Sequence, residues 1–293
     1  MKTLTRLLII ASSVLFFSCE DVIQIKLDEG SKLYVIDAFV NDLREDQKVR
    51  VVTNDSYFSN REAPPVTNAQ VVLYDLTDNK QYTFNYTTNG YYVYPITTAD
   101  TIAKVNHSYE LKVTIDGYTY TSSALQKRTA VIDSIGLLPN DGGGFGPPST
   151  DSSRYCLLYA RDKADNNPDY YWVKTFRNDT LFSGSSDINV TIDGTGGVVT
   201  NAPQDTIDFT PSSTFLGFKA YKKNDKCRVE IHSLSRDNYF FFLQAYSQIN
   251  NGGLFATTPE NVKTNIITPE GAKTKAVGRF NMACVATKTR LIP

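Results

Sequence analysis

Tyr109-Glu110-Leu111-Lys112-Val113-Thr114-Ile115-Asp116-Gly117-Tyr118-Thr119-Tyr120-Thr121 is the stretch that decides the fold class. Side-chain character alternates with a period of two on both sides of Asp116-Gly117, the pattern of strands with one covered face. Asp-Gly tolerates the positive φ that a two-residue hairpin loop demands, so the stretch reads as two antiparallel strands joined by a tight turn.

The same pattern recurs outward from this hairpin. Toward the amino terminus lie Leu33–Val40, Lys48–Thr53, Gln70–Tyr74, Tyr82–Phe84 and Tyr91–Tyr94, with Asn89-Gly90 as a second turn signal. Seven short strands at this spacing predict an N-terminal antiparallel β-sandwich of immunoglobulin-like size over residues 32–128. No Cys…Trp…Cys core is present, which excludes an antibody-type domain.

Toward the carboxyl terminus, Ala130–Ile135, Tyr155–Arg161, Tyr170–Arg177, Ile188–Ile192, Thr206–Phe209, Phe215–Tyr221 and Cys227–His232 predict a second antiparallel β domain, barrel- or sandwich-like, over 129–293. Its end alternates through Phe280, Met282, Cys284 and Ala286. Asn140–Ser153 is rich in Gly and Pro, which hold neither ladder nor helix. It reads as a hairpin loop inside the second domain rather than as a linker. Asp193–Gly197 is a glycine turn without the Lys and the strand–loop–helix setting of a phosphate loop.

One amphipathic helix is predicted, Ser235 to Gln248, with Ser235 as N-cap and Asp237 at the positive end of the helix dipole. Tyr239, Phe242, Leu243 and Tyr246 share one face, and Phe240 and Phe241 widen it. The expectation is a helix packed against more than one surface, not an exposed aromatic binding face.

The chain has 293 residues, and its 12% aromatic content, led by 18 Tyr and 16 Phe, favours strands. With 30 Lys+Arg against 31 Asp+Glu there is no excess of positive charge for nucleic acid. Beyond Cys19 the cysteines are Cys156, Cys227 and Cys284, an odd number. At most one disulfide can form among them. Each lies in a strand-like run, so buried free thiols are expected; if two of them pair, the expectation is Cys227 with Cys284.

Lys2 and Arg6 precede an uncharged apolar run, Leu7–Phe17, that ends in Ser18-Cys19. The run is shorter than the roughly 20 residues a spanning helix needs. It reads as the core of a secretory signal. The small residue followed by cysteine resembles a bacterial lipobox, which implies cleavage before Cys19 and a diacylglycerol on its thiol. Residues 1–18 are then the leader and 19–31 a lipidated tether. Two or more acyl chains, at about 0.8 kcal/mol per buried methylene, anchor a protein stably without any spanning segment. Glu20 and Asp21 resemble, in part, the acidic signal that sends Bacteroidota lipoproteins to the cell surface; a solvated linker is the alternative.

Catalytic signatures are missing. His107 and His232 stand far apart in sequence with no evident ligand partner, and neither Gly-x-Ser-x-Gly nor HExxH occurs. Asp162–Asp169 is acidic but lacks the glycine and terminal Glu of a calcium loop, so a solvated turn is expected. No catalytic residue, cofactor or metal is assigned. Four Asp-Ser/Thr-aliphatic triplets place hydroxyls at Thr101, Ser134, Thr180 and Thr206. They resemble the O-glycosylation motif of exported Bacteroidota proteins; chance in a Thr-rich chain is the alternative.

Several segments together carry a wider resemblance: Tyr34–Val40, Pro65–Val71, Asn89–Tyr92, Tyr109–Val113, Ile132–Ile135, Pro259–Ile266 and Gly278–Phe280. With the lipobox they make the chain similar to domain-of-unknown-function family 4249 of Bacteroidota outer-membrane lipoproteins. That resemblance implies a non-enzymatic lipoprotein on the extracellular face of the outer membrane, an accessory or ligand-capture partner of a TonB-dependent receptor. It supplies no active-site residues. Two other functions stay open. One is a free-standing glycan- or protein-binding module using Tyr91, Tyr92, Tyr94, Tyr118 or Tyr120. The other is a hydrolase whose two carboxylates converge in a pocket.

Overall fold

The computed structural model describes residues 30–56, 59, 61–96, 102–140, 153–162, 168–184, 187–192, 206–208, 219–252, 257–258 and 260–293. Cys19 and Thr101 lie outside these residues, as does the glycine turn at 193–197. Alternation produces a mainly β protein with, among the described residues, one helix.

The strands of the first half are β1 (Leu33–Asn41), β2 (Gln47–Thr53), β3 (Gln70–Asp75), β4 (Lys80–Tyr86), β5 (Tyr91–Tyr94), β6 (Ser108–Ile115) and β7 (Tyr118–Leu125). Those of the second half are β8 (Val131–Pro139), β9 (Arg154–Arg161), β10 (Tyr170–Arg177), β11 (Thr180–Leu181), β12 (Asn189–Ile192), β13 (Thr206–Asp208), β14 (Lys226–Leu234), β15 (Lys275–Ala283) and β16 (Val285–Leu291). Helix α1 spans Arg236–Ile249.

The hairpin that decides the class forms as read. Asp116 and Gly117 take φ 51° and 82°, and β6 pairs with β7 from Ile115–Tyr118 back to Ser108–Leu125. Eight strands make the first sheet in the order β15-β1-β2-β5-β4-β3-β6-β7. The sheet curls into a nearly closed, barrel-like wall. Its ends meet where Thr121 and Ile267 exchange backbone hydrogen bonds of 3.2 and 2.7 Å, and where the Tyr120 hydroxyl donates to the Thr274 carbonyl at 2.7 Å. Ile36, Val51, Leu73, Leu111, Tyr120 and Phe280 are among the side chains that fill it.

The eighth strand is not a neighbour in the chain. β15 adds to β1 in parallel, Leu33 opposite Lys275 through Asn41 opposite Ala283, while the other pairs of this sheet are antiparallel. One residue later β16 pairs antiparallel with β14. The C-terminal ribbon therefore belongs to both sheets, and the strands do not divide cleanly at 128/129. A parallel pair needs a long crossover and leaves no local signal, which is why alternation alone does not place it.

In the second half a five-stranded sheet (β11-β10-β14-β16, with β12 on β10) faces a three-stranded one (β13-β9-β8). Tyr171, Val173, Val229 and Ile231 from the larger sheet share a core with Leu158 and Ala160 from the smaller.

Three expectations need correction. The Ser235 cap forms, its hydroxyl accepting from the Asn238 backbone N–H, but α1 leaves part of its aromatic face exposed. Phe242 is buried while Phe240, Leu243, Tyr246 and Ile249 are exposed by 45%, 40%, 43% and 59%. The helix does pack against more than one surface: Tyr239 meets Tyr170 of β10 at 5.2 Å, and the Asn238 side chain donates to the Phe280 carbonyl of β15 at 3.1 Å. Next, Asp162 and Asp169 are buried rather than solvated. Arg128 pairs with both, at 2.7 Å to Asp169, and the Tyr171 hydroxyl donates to Asp162. The two ends of the acidic run thus neutralise Arg128, while residues 163–167 between them lie outside the described residues.

The last correction concerns sulfur. All three cysteines are buried thiols, but the neighbour of Cys227 is Cys156, not Cys284. Strands β9 and β14 face each other across one core, whereas Cys284 sits at the β15–β16 joint, where its sulfur accepts from Gln126 Nε2 at 3.1 Å.

Candidate functional site

The face of the larger second sheet that turns away from its own core carries a concentration of charge and aromatic rings. Inward Tyr171 and Val173 alternate with Trp172 and Lys174 on β10. On β14, Cys227, Val229 and Ile231 alternate with Arg228, Glu230 and His232. Register sets Trp172 opposite His232, Lys174 opposite Glu230, and Phe176 opposite Arg228. Cross-strand neighbours of this kind are in direct reach of each other.

Phe39, outward on β1, meets Trp172 at 5.6 Å and Phe242 of α1 at 5.5 Å, and Trp172 and Phe242 lie 4.6 Å apart. Three elements thus build one aromatic wall. Lys174 Nζ stands 4.1 Å from the Trp172 ring centre, and the Arg228 guanidinium lies 3.6 Å over Phe176. Such cation–π contacts hold both cations in place.

Glu230 is the hub. It accepts from Arg228 Nη1 and from His232 Nε2, the latter at 2.9 Å, and both Glu230 and His232 are about 95% covered. Burial, then the charges of Lys174 and Arg228, holds the His232 imidazole well below its ordinary pKa. At pH 7 it is neutral and donates Nε2–H to the carboxylate. Burial also lowers the Lys174 ammonium to about 8, partly countered by Glu45 and Asp37. Asp37, on the same outward side of β1 as Phe39, is open to solvent, yet surrounding protein pushes its carboxyl up despite Arg50 and Lys174. The arrangement suits a ligand with an apolar face for Trp172 and an anionic or hydroxyl-bearing edge for Lys174.

The stability of the fold must carry the imprint of His232. The unfolded imidazole binds a proton near pH 6.5, and the folded one resists it. Protons therefore favour the unfolded chain below about pH 6.5, at up to about 1.4 kcal/mol per pH unit. Unfolding midpoints in urea are expected to fall between pH 7 and 5, and His232→Gln, which keeps a donor for Glu230, is expected to flatten that slope. An unchanged slope in the variant contradicts the assignment.

Both histidines have carboxylate partners that sequence reading missed. His232 lies two residues from Glu230, on the same side of one strand. His107 Nδ1 lies 2.8 Å from Asp75. Asp75, Asp78 and His107 form a group with metal-like spacing among the described residues. Its electrostatics are already closed. Lys104 Nζ sits 2.6 Å from Asp78, and Asp75 Oδ1 accepts from the backbone of Thr77 and Asp78. Burial works to raise the Asp75 carboxyl, but hydrogen bonds from His107, Asp78 and Thr77 outweigh it and leave it lowered. A cation there would displace an ammonium, so the group does not fit a metal.

The five tyrosines offered as a binding surface are not brought together. Tyr92 and Tyr120 are buried, Tyr94 and Tyr118 are partly buried against the first core, and Tyr91 is exposed with Arg50 over its ring at 5.2 Å. Of the four glycosylation candidates, Ser134 and Thr180 are exposed, Thr206 lies on β13, and Thr101 is outside the described residues. Among the described residues no helix is long and apolar enough to cross a membrane.

A family model described as "Domain of unknown function (DUF4249)" matches residues 20–289. The chain belongs to the DUF4249 family. The DUF4249 match covers strands from all three sheets, α1 and the aromatic wall, so the site lies wholly inside it. A search of curated proteins returned no match.

Proposed function

We propose that this DUF4249 protein is a non-enzymatic lipoprotein, anchored through Cys19 to the outer membrane of a Bacteroidota-type envelope and facing outward. There it serves as the accessory or ligand-capture partner of a TonB-dependent receptor. The observation that carries the reading is the uncharged Leu7–Phe17 run closed by Ser18-Cys19 at the head of a DUF4249 chain. A diacylated cysteine keeps such a body on the membrane surface. The wall of Phe39, Trp172 and Phe242 beside Lys174 supports a capture role, because it offers stacking and a cation in one place. Exposed Ser134 and Thr180 are the hydroxyls best placed to accept a glycan.

The experiment is affinity capture of the full-length tagged protein from outer membranes solubilised in mild detergent. A β-barrel receptor is expected to co-purify in near-stoichiometric amount. Recovery of the lipoprotein with no receptor overturns the partnership.

A further inference from the structure

The second core brings two thiols together from opposite sheets. Alternation on β9 points Cys156, Leu158 and Ala160 inward, and alternation on β14 points Cys227, Val229 and Ile231 to meet them. Cys156 and Cys227 lie in the same buried cluster, and each is the leading influence on the other's acidity. Neither strand is free to slide. Arg154, two residues before Cys156, exchanges backbone hydrogen bonds of 2.8 and 2.7 Å with Tyr221, whose hydroxyl donates to the Phe176 carbonyl of β10 at 3.2 Å. Cys227 is held on both flanks, opposite Arg177 on β10 and Arg290 on β16.

We propose that Cys156 and Cys227 are a disulfide pair that staples the two sheets of the second core, with Cys284 left as a thiol. Two inward thiols from facing strands of one core, on backbones fixed by ladders, are placed to close to the bonding distance of about 2.05 Å. The two thiols are also unlike. Its hydrogen bond from Cys156 lowers Cys227, with burial working against it, while the same bond and burial raise Cys156. One of the two attacks an exogenous disulfide as a thiolate and displaces one thiol, and the other then attacks the mixed disulfide and releases the second. Two cysteine thiols lose two protons and two electrons, and the oxidant's disulfide becomes two thiols. The closed bond spans a loop of about 70 residues and so restricts the unfolded chain strongly. In a cell this requires a compartment outside the reducing cytoplasm; the test below supplies its own oxidant and is independent of the anchoring proposal.

Full-length protein in detergent is equilibrated with glutathione disulfide in low urea, alkylated with iodoacetamide after unfolding, and digested without reduction. The expected product is one cross-linked peptide pair through Cys156 and Cys227, about 2 Da lighter than its reduced halves, with Cys284 alkylated. Reduction is expected to lower the thermal midpoint by about 5–10 °C in the parent and in Cys284→Ala. The Cys156→Ala/Cys227→Ala double variant is expected to ignore reductant. Alkylation of all three cysteines after oxidation, a cross-link to Cys284, or stable glutathione adducts on Cys156 or Cys227 overturns the proposal.

Discussion

Gly278→Ala is expected to lower stability by about 3–5 kcal/mol, at the extreme end for a single methyl group. Gly278 sits in β15 at φ +121°, opposite Ile36 in the parallel pairing. A Cβ there would stand 2.0 Å from the Ile36 carbonyl oxygen and within 3 Å of its carbonyl carbon and amide nitrogen. Those atoms are backbone in the middle of a ladder, so nothing flexible can give way. The conformation is also one that L-residues avoid. Losing the β1–β15 pair opens the barrel-like sheet and exposes Phe280 and Met282. Gly271 provides the control. It has φ +76° but nothing within 4 Å of a built Cβ, so Gly271→Ala should cost only about 1 kcal/mol. Urea unfolding followed through the single tryptophan, Trp172, reads both. Equal costs for the two variants contradict the close-approach explanation.

Glu230→Ala is the second large effect, about 3 kcal/mol or more. The substitution removes the shared acceptor of Arg228 and His232 in a covered setting, and a partly buried cation left with fewer partners is costly. Arg228 keeps the Phe176 ring and the longer contact to Asp179, Nε to Oδ1 at 3.4 Å. Glu230→Gln should cost less, because its carbonyl still accepts from His232. Since His232 lies 5.9 Å from Trp172 ring to ring, Glu230→Ala should also shift the native tryptophan emission. A neutral Glu230→Ala with unchanged emission contradicts the hub role.

Strands announced themselves wherever one face was wet and the other dry, as in β1, where Ile36, Ala38 and Val40 alternate with Asp37 and Phe39. The helix was legible because Ser235 supplies a cap and the aromatic spacing changes period there. What resisted reading is long-range. β15 has the pattern of any strand, and nothing local says that its partner begins 242 residues earlier, at Leu33 against Lys275. Similarly, Phe39, Phe242 and Trp172 look like three unrelated core residues until topology joins them. Glu230 and His232 were closer to view: polar residues at alternate positions in Cys227-Arg228-Val229-Glu230-Ile231-His232 mark one special strand face. Burial of Asp162 and Asp169 depended on Arg128, more than thirty positions upstream, and an acidic segment read alone gives no sign of such a partner.

The account stands or falls on Cys19. Protein extracted from the outer membrane of its host should yield an amino-terminal peptide that begins at Cys19 and carries the mass of a diacylglyceryl group. An amino-terminal peptide beginning at Cys19 or elsewhere without acyl groups would contradict the anchoring on which the proposed function rests.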